Sequence, residues 1–232
     1  MVDAKVRLDV EPELLYNMGD RPPILIKEII VARHKKDERT QAISETRQQL
    51  LTAAANEFAQ EGYSGANINR ISQSAGYAKG TIYNYFPSKR ALMDALIDEF
   101  SKKHLDYLVT QVRQVEGPLA RLERFFEAGF AFVMQNLSPG RVIINTLYGP
   151  DAEFKAHLGR VYTPMFHFIG QEIVLPGIQQ GVFRQVEPFP TAGFLMTIYL
   201  GFASTAGDDG SLTMSVKQVF DYALNGLRDT TS

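Results

Sequence analysis

Residues 66–90, ANINRISQSAGYAKGTIYNYFPSKR, place many hydrogen-bonding side chains in one short stretch. From Lys79 to Tyr85, nearly every side chain that is not apolar ends in an amine, a hydroxyl or an amide. Amides and hydroxyls can pair with base edges in a DNA groove, whereas amines and phenols suit the phosphates. This stretch therefore predicts non-covalent recognition of double-stranded DNA.

Two short helices joined by a turn would present these side chains. Asn67 is a good N-cap for the first helix, and Gly76 is expected to form the turn. The second helix is expected from about Ala78 to Tyr85, because Pro87 cannot continue it. Such a pair is the usual way for a protein to offer side chains to the major groove.

Flanking helices are expected on both sides of this pair. Thr46 is a candidate N-cap of the preceding helix, with Gln49 at the capping-box position and Gly62 as its stop. Ser88 is the candidate N-cap of the following helix. Ile82 and Phe86 lie four residues apart and are expected to point inward.

The rest of the chain has helical periodicity and shows no pair of strands joined by a hairpin turn. Proline and glycine breaks separate the expected helices, and Pro164 and Pro176 are expected to kink or split the longest of them. The expected helices span residues 118–136, 140–148, 151–180, 189–206 and 211–228. The predicted fold class is all-α, with an N-terminal three-helix helix-turn-helix DNA-binding domain and a larger C-terminal helical ligand-binding and dimerisation domain. The predicted limits are 1–43 for an N-terminal extension that is partly ordered, 44–92 for the DNA-binding domain and 93–232 for the ligand-binding domain.

The composition excludes several other classes of protein. The chain has 232 residues, 45% of them hydrophobic, which is enough for a sizeable core. It has no cysteine, which excludes disulfides, zinc–thiolate sites and cysteine nucleophiles. No signal-peptide pattern or membrane-length apolar run is visible, so a cytoplasmic location is expected. The net charge of −2 is unusual for a DNA-binding protein, but residues 46–104 carry a small local excess of Lys and Arg.

The order and spacing of these residues resemble the DNA-binding domain of the TetR (tetracycline repressor) family over about residues 46–100. The resemblance rests on Thr46-Arg47, Ala54-Ala55, Phe58, Gly62-Tyr63, Ile71, Ala75-Gly76, the run from Lys79 to Phe86, Ser88-Lys89 and Leu92. It implies a homodimeric repressor that binds palindromic operator DNA and releases it when a small molecule binds the larger domain. It also implies a set of DNA-contact residues, namely Thr46, Arg47, Asn69, Lys79, Gly80, Thr81, Tyr83, Asn84, Tyr85 and Lys89. Among these, Thr81 and Asn84 suit base edges, and Tyr83, Tyr85 and Lys89 suit phosphates.

The chain departs from that family's pattern in a few places. Tyr77 stands where a small aliphatic residue is usual, and Ala78 stands where a hydroxyl is common. Asn67 replaces the usual threonine but can still cap the helix. Residues 1–43 are unusual for the family, and their basic segment 33–39 is either part of a tail that packs on the body or an arm beside the DNA.

Aromatic residues are concentrated in residues 118–206. Most of them must form the core, and some can line a pocket for an apolar or aromatic effector. The candidates for such a pocket are Phe126, Phe130, Tyr148, Tyr162, Phe166 and Tyr199. An apolar stripe on the last helix, together with the helix before it, suits either the chain's own core or a four-helix bundle with a second copy.

Other chemistries have little support in the sequence. Glu153 and His157 are four residues apart and could form half of a metal site, but no further ligands are visible, so no metal and no cofactor are expected. No Gly-x-Ser-x-Gly elbow, phosphate loop or dinucleotide motif is present, and the chain is not expected to be an enzyme. The alternatives that stay open are a helix-turn-helix regulator controlled by a protein partner and an enzyme that uses the C-terminal pocket.

Overall fold

The computed structural model describes residues 24–207 and 211–228, and most of these residues are helical. Within those ranges the only strand-like feature is an isolated bridge between Phe183 and Arg228, so the all-α prediction is confirmed. The helices are α1 Ile24–Gly65, α2 Ile68–Ser74, α3 Lys89–Val112, α4 Pro118–Gln135, α5 Leu137–Tyr148, α6 Ala152–Ile169, α7 Leu175–Gln179, α8 Pro188–Ala203 and α9 Val216–Leu227. A 3₁₀ turn, Thr81–Asn84, precedes α3, and a π turn, Gly170–Val174, joins α6 to α7.

Contacts divide the chain into two units, residues 1–47 and 48–232. In the first unit, residues 1–23 of the predicted extension lie outside the described residues, and α1 begins at Ile24. In the second unit, α3 continues as one helix through residue 93, where the sequence suggested a domain limit. The predicted limits at 44 and 93 stay predictions.

Several predicted helix ends are confirmed, and others are wrong. Asn67 caps α2 and Ser88 caps α3, and Gly62 has φ 67°, outside the helical range. The N-cap predicted at Thr46 is wrong, because α1 passes through that residue without a break. A good capping box in the sequence does not start a helix when the residues before it are also helical.

The two prolines of the long predicted helix behave differently. Pro164 lies inside α6, which continues to Ile169. Pro176 lies in the first turn of α7, where its missing N–H is tolerated, and the π turn precedes it. The break in residues 151–180 is therefore at Gly170–Val174. In the same way, Pro139 lies in the first turn of α5, which begins earlier than predicted.

The core of the second unit extends from α2 and the 3₁₀ turn into the larger group of helices that follows. Phe58, Ile71 and Ile82 are buried around α2 and the 3₁₀ turn, and the burial of Ile82 confirms the inward orientation predicted for it. The helix α3 leaves this region and packs against α4 and α6 along the rest of its length. No helix in the described residues is long and apolar enough to cross a membrane.

A polar cluster lies inside this apolar body. His104 of α3 is fully buried, and its ring stacks on Phe132 with the centroids 4.7 Å apart. Its Nε2 lies 2.5 Å from the hydroxyl of Tyr199, and its Nδ1 lies 3.2 Å from the hydroxyl of Tyr162. Burial lowers the pKa of His104 from 6.5 to about 3, so the imidazole is neutral in the folded protein at neutral pH.

The buried imidazole predicts a loss of stability in acid. Between pH 6.5 and pH 3 the unfolded chain binds a proton on His104 and the folded chain does not, so stability falls as the pH falls through this window. We expect the loss to be about 1.4 kcal/mol per pH unit. Urea unfolding at several pH values between 6.5 and 5 measures it, with His104→Asn as the comparison. The pH curve of the variant should be flatter by that amount, and parallel curves for the two proteins would contradict the assignment.

Candidate DNA interface and effector cleft

The helix α2 is fixed at its N-terminus by Asn67. The Asn67 side-chain oxygen accepts hydrogen bonds from the N–H groups of Asn69 at 2.9 Å and Arg70 at 3.3 Å. These are two of the N–H groups that a helix cannot satisfy internally. The seven-residue helix is too short to be stable alone, so its position depends on such contacts.

A buried carboxylate of α1 holds the same end of α2. Glu57 is only 7% exposed and accepts hydrogen bonds from the N–H of Asn67 at 2.8 Å and from Nε of Arg70 at 2.8 Å. A terminal nitrogen of the same guanidinium lies 2.6 Å from the carboxylate. Burial by itself raises the pKa of Glu57, but the bonds from Arg70 and Asn67 outweigh it and the pKa is lowered. We call these three residues the Glu57 clamp.

After α2 the chain turns at Gly76, where the N–H of Tyr77 donates to the carbonyl of Ser72 at 2.9 Å. The recognition helix predicted for residues 78–85 is shorter than expected. Gly80 has φ 92°, and only Thr81–Asn84 form a 3₁₀ turn, with N–H groups bonded to carbonyls three residues back. An α-helix cannot pass through a residue with that φ, and the residue before Pro87 is itself disfavoured in the helical region. The prediction of a helix from Ala78 is therefore wrong.

The 3₁₀ turn still separates an inner face from an outer one. Ile82 is 1% exposed and Phe86 4%, so these two side chains anchor the turn in the core. Tyr83 is 54% exposed. Lys79 and Asn84 are exposed, and Thr81 and Tyr85 are half-buried. Asn69 is exposed at the start of α2.

Lys89 has a structural role that the sequence did not reveal. Its ammonium donates to the carbonyls of Ser64 at 3.0 Å and Ala66 at 2.8 Å, and it lies 5.0 Å from the ring centroid of Tyr63. These are carbonyls at and just beyond the end of α1, where a lysine commonly satisfies unpaired acceptors. An ammonium has three N–H groups, so one stays available for the phosphate contact that the sequence predicts.

Three other residues singled out in the sequence either contact α1 or belong to it. The Tyr77 hydroxyl donates to the side-chain oxygen of Gln49 on α1, so this unusual residue packs between elements. Thr46 and Arg47 belong to the N-terminal unit and are half-buried within α1. Their roles as DNA contacts stay predictions.

The Glu57 clamp was missed at the level of sequence, although a signal was present. Glu57 follows Leu50 by seven residues, and this spacing places it on the buried side of α1. A carboxylate on a buried helical face needs a charged or N–H partner, and Arg70 is the nearest arginine that follows it. The pair could have been proposed from those two facts.

The N-terminus of α6 contacts this region. The rings of Tyr63 and Phe154 meet edge to face with centroids 4.7 Å apart. Arg90, at the start of α3, lies over the ring of Phe154 at 4.0 Å and donates to Glu153 at 2.8 Å. His157 lies beside Asp98 instead, with Nε2 2.8 Å from a carboxylate oxygen. Glu153 and His157 thus have different partners, and no cluster of three metal-binding side chains occurs in the described residues.

The six aromatic residues predicted to line a pocket are found in three settings. Phe126, Phe130 and Tyr199 are buried in the core, and Tyr148 is 58% exposed. Tyr162 and Phe166 line a cleft of about 110 Å³ between α5, α6 and α8. We call it the α6 cleft. Its lining residues are Ile143, Leu147, Lys155, Leu158, Gly159, Tyr162, Phe166, Gly193, Met196, Thr197 and Leu200.

An apolar groove runs between α8 and α9. Two large aromatic side chains there face solvent, Phe194 at 63% and Tyr222 at 66% exposed. Ile198, Phe202 and Val219 also line the groove. Exposed aromatic groups grouped in this way indicate an interaction surface.

Residues 50–96 match the family model described as bacterial regulatory proteins, tetR family. The chain is 32% identical over 118 residues to the transcriptional activator FasR of Mycolicibacterium smegmatis, covering 49% of this chain and 52% of that protein. It is 28% identical over 156 residues to the transcriptional repressor KstR2 of Mycobacterium tuberculosis, covering 61% of this chain and 71% of that protein. The chain thus spans about half the length of the first of these relatives.

The fold is similar to those of solved regulators. A structure of FadR from Bacillus subtilis in complex with stearoyl-CoA has a TM-score of 0.66 at 17% identity, and the match covers 77% of this chain and 95% of that one. A structure of AibR in complex with isovaleryl coenzyme A and operator DNA has a TM-score of 0.64 at 20% identity, covering 79% and 98%. At these identities the likeness concerns the fold.

The left-handed residue of the recognition turn predicts a backbone effect on stability. At Gly80 an added Cβ would meet no atom within 4 Å, so Gly80→Ala introduces conformational strain and no clash. We expect it to lower the free energy of unfolding by about 1–2 kcal/mol. Chemical denaturation measures the change. The control is Gly193→Ala, whose Cβ also meets nothing but whose backbone is helical, and it should raise stability by about 0.5–1 kcal/mol. Equal effects at the two sites would contradict this interpretation.

Proposed function

We propose a function from one premise: the chain belongs to the TetR family of bacterial transcriptional regulators. The proposal is a ligand-responsive regulator that binds palindromic operator DNA as a homodimer and is released by a small, largely apolar or aromatic effector. Repression is the favoured outcome of its binding, as for KstR2, although FasR is named an activator. Operator DNA would place its action in the cytoplasm.

The observation that supports this proposal most strongly is the outer face of the recognition turn. Lys79, Tyr83 and Asn84 face solvent, and Ile82 and Phe86 hold the turn from below. The Glu57 clamp fixes α2, the helix from which the turn projects. Lys79 is the only lysine or arginine between residues 71 and 88, so it is the principal cation of the segment. This arrangement suits one phosphate contact beside a base-reading amide.

The groove between α8 and α9 supports the homodimer. A second copy that offers its own α8 and α9 would cover Phe194 and Tyr222 and complete a four-helix bundle. Two copies also provide two recognition turns, which half-sites about 34–36 Å apart require. Specificity of the usual size needs more contacts than one short turn offers.

The effector is the least specified part of the proposal. FadR and AibR were solved with coenzyme A thioesters, which are amphipathic ligands. The α6 cleft gives this chain an apolar site of its own, which favours a small molecule over control by a protein partner. An effector releases DNA only if it binds the non-operator conformation more tightly than the operator-bound one. The relatives and solved structures are named regulators, which favours regulation over catalysis.

Mutations should distinguish a residue that reads a base from a residue that contacts a phosphate. Operator fragments would first be selected from genomic DNA with the purified protein. Asn84→Ala should then weaken operator binding by about 10- to 100-fold and relax the preference at one base pair in each half-site. Lys79→Ala should weaken binding to operator and random DNA alike, and it should reduce the slope of log affinity against log salt by about 0.9 for each site. Fluorescence anisotropy at several salt concentrations measures both.

The opposite pattern would reject these roles. If Asn84→Ala weakens operator and random DNA equally, Asn84 is not a base reader. Leu119→Gln serves as the control, because Leu119 is an exposed residue of α4 and should change neither the affinity nor the salt slope.

Dimerisation through the α8–α9 groove should depend on its aromatic residues. The double change Phe194→Glu and Tyr222→Glu should give a monomer in sedimentation experiments, because it would bury four carboxylates in the dimer interface. Its affinity for a palindromic operator should fall by about 100-fold or more, since the two half-sites are no longer bound together. The matched control is Leu119→Glu, an exposed apolar residue elsewhere, which should stay dimeric. A double variant that remains a dimer would place the interface elsewhere.

A further inference from the structure

An exposed side-chain amide of α1 lies beside the start of the recognition turn. The side-chain oxygen of Gln49 accepts a hydrogen bond from the hydroxyl of Tyr77, 28 residues further along the chain. Tyr77 follows the turn at Gly76 and precedes Lys79 by two residues. The amide of Gln49 is therefore held next to the segment that carries the expected DNA contacts.

Tyr77 restricts a side chain that would otherwise be mobile. Glutamine is among the residues that lose most rotamer freedom when their side chains become ordered. Tyr77 is half-buried and packs against the core, so its hydroxyl is a fixed point to which the amide of Gln49 is bonded. A group that binds this amide does not have to order it again, and such preorganisation raises affinity.

The amide of Gln49 keeps a hydrogen-bond donor free. An amide nitrogen has two hydrogens, and a single phenol occupies at most one of them, whichever end of the amide it meets. In the structure the phenol meets Oε1, and Nε2 has no acceptor among the described residues. Paired contacts to an adenine edge would need both the oxygen and the nitrogen of the amide, whereas a phosphate oxygen needs only the nitrogen. The free end of Gln49 thus suits a phosphate.

The backbone of α1 cannot supply a donor at this place. An N-cap at Thr46 would leave the following N–H groups open to a phosphate. The helix α1 passes through Thr46 and Gln49 without a break, so these N–H groups bond to carbonyls four residues earlier. Ala78, which follows Tyr77, has no polar side chain. A donor at this edge of the recognition turn has to come from a side chain of α1, and Tyr77 holds that of Gln49 in place.

We infer that Gln49 is a DNA-contact residue whose side-chain amide donates to one phosphate oxygen in each half-site, and that Tyr77 positions it. The inference rests on the proposed function, because it needs DNA bound at the recognition turn. A phosphate contact carries no sequence information, so it stabilises complexes with operator and random DNA alike. Tyr77 acts through Gln49 and is a positioning residue.

Affinity measurements on the full chain, with the selected operator and with random DNA, test this contact. Gln49→Ala should weaken binding to both DNAs by the same factor, about tenfold, because each half-site loses a hydrogen bond to a charged group. The slope of log affinity against log salt should stay unchanged, since a neutral amide displaces no counterion. Lys79→Ala lowers that slope and Asn84→Ala changes the sequence preference, so the three roles give three different results.

The adjacent glutamine provides the control. Gln48 is also exposed on α1, but it lines a groove with Leu96 and Glu99 of α3. Gln48→Ala should bind both DNAs as wild type does. Equal losses for Gln48→Ala and Gln49→Ala, or no loss for either, would overturn the inference.

A neutral phosphate analogue distinguishes a direct contact from a structural effect. Operators that carry one methylphosphonate, at each position in turn, are compared with the unmodified operator for wild type and Gln49→Ala. At one phosphate in each half-site the loss of affinity should be several-fold smaller for the variant, because the variant has no hydrogen bond to lose there. Identical profiles for the two proteins would mean that Gln49 acts only on the structure, and would overturn the inference.

The positioning role of Tyr77 is tested by combining variants. Tyr77→Phe removes the hydroxyl and keeps the ring, and it should weaken DNA binding by about threefold, because the amide has to be ordered on binding. In the Gln49→Ala background the same change should have no further effect. Additive losses would overturn the positioning role. Thermal unfolding checks that each variant is folded.

The wild-type protein separates this inference from the proposed function. If it binds the selected operator more tightly than random DNA while Gln49→Ala matches it on both, the inference is overturned and the proposed function stands. If wild type selects no fragment of genomic DNA, the proposed function fails and the inference fails with it.

Discussion

The continuity of α3 is the constraint on which the arrangement of the second unit depends. One helix runs from Lys89 to Val112. At its first residue Lys89 donates to the carbonyls of Ser64 and Ala66, and in its middle His104 is bonded to Tyr162 and Tyr199. An uninterrupted helix transmits displacement along its length, because its hydrogen bonds do not allow one turn to move freely against the next. The recognition segment and the buried cluster around His104 are therefore both attached to α3.

The helix α6 runs beside α3 and contacts both of these regions. Its first turns present Glu153 and Phe154 to Arg90, next to the residue that holds the end of α1. Lys155 in the first turn and Tyr162 about two turns later both line the α6 cleft. A ligand in the cleft would thus bind the helix whose N-terminus rests on the DNA-binding elements. Closely packed helices respond to a ligand by small shifts between alternative packings, and the edge-to-face contact of Tyr63 with Phe154 is where such a shift would reach α1.

The sequence predicted the features that depend on local chemistry. The caps Asn67 and Ser88 and the anchors Ile82 and Phe86 were found because each follows from a residue type and a spacing of three or four. The length of the recognition helix was not predicted correctly. Glycine permits the left-handed φ observed at Gly80 but does not require it, so the sequence alone does not indicate it. The start of α1 was missed because a capping signal competes with the helical preference of the residues before it.

The candidate site was predictable only in part, since its support is non-local. Lys89 was assigned to phosphate from its position, but its ammonium meets carbonyls more than twenty residues away, which no spacing rule indicates. The aromatic residues of the larger part formed one undifferentiated set in the sequence. Only the packing of α5, α6 and α8 separates Tyr162 and Phe166, which line the cleft, from Phe126 and Phe130 in the core.

The buried polar cluster around His104 and the two glycines that line the α6 cleft, Gly159 and Gly193, both lower the free energy of unfolding, for different physical reasons. A core of phenylalanine or leucine at positions 104, 162 and 199 would avoid the desolvation of one imidazole and two phenols, and replacement of buried polar groups by apolar ones is often stabilising. Alanine at Gly159 and Gly193 would raise helix stability without a clash. Each feature lowers the stability of the folded chain, and the two features meet at the wall of one cleft. Tyr162 belongs to both features, because it lines the cleft while its hydroxyl lies 3.2 Å from His104 in the core.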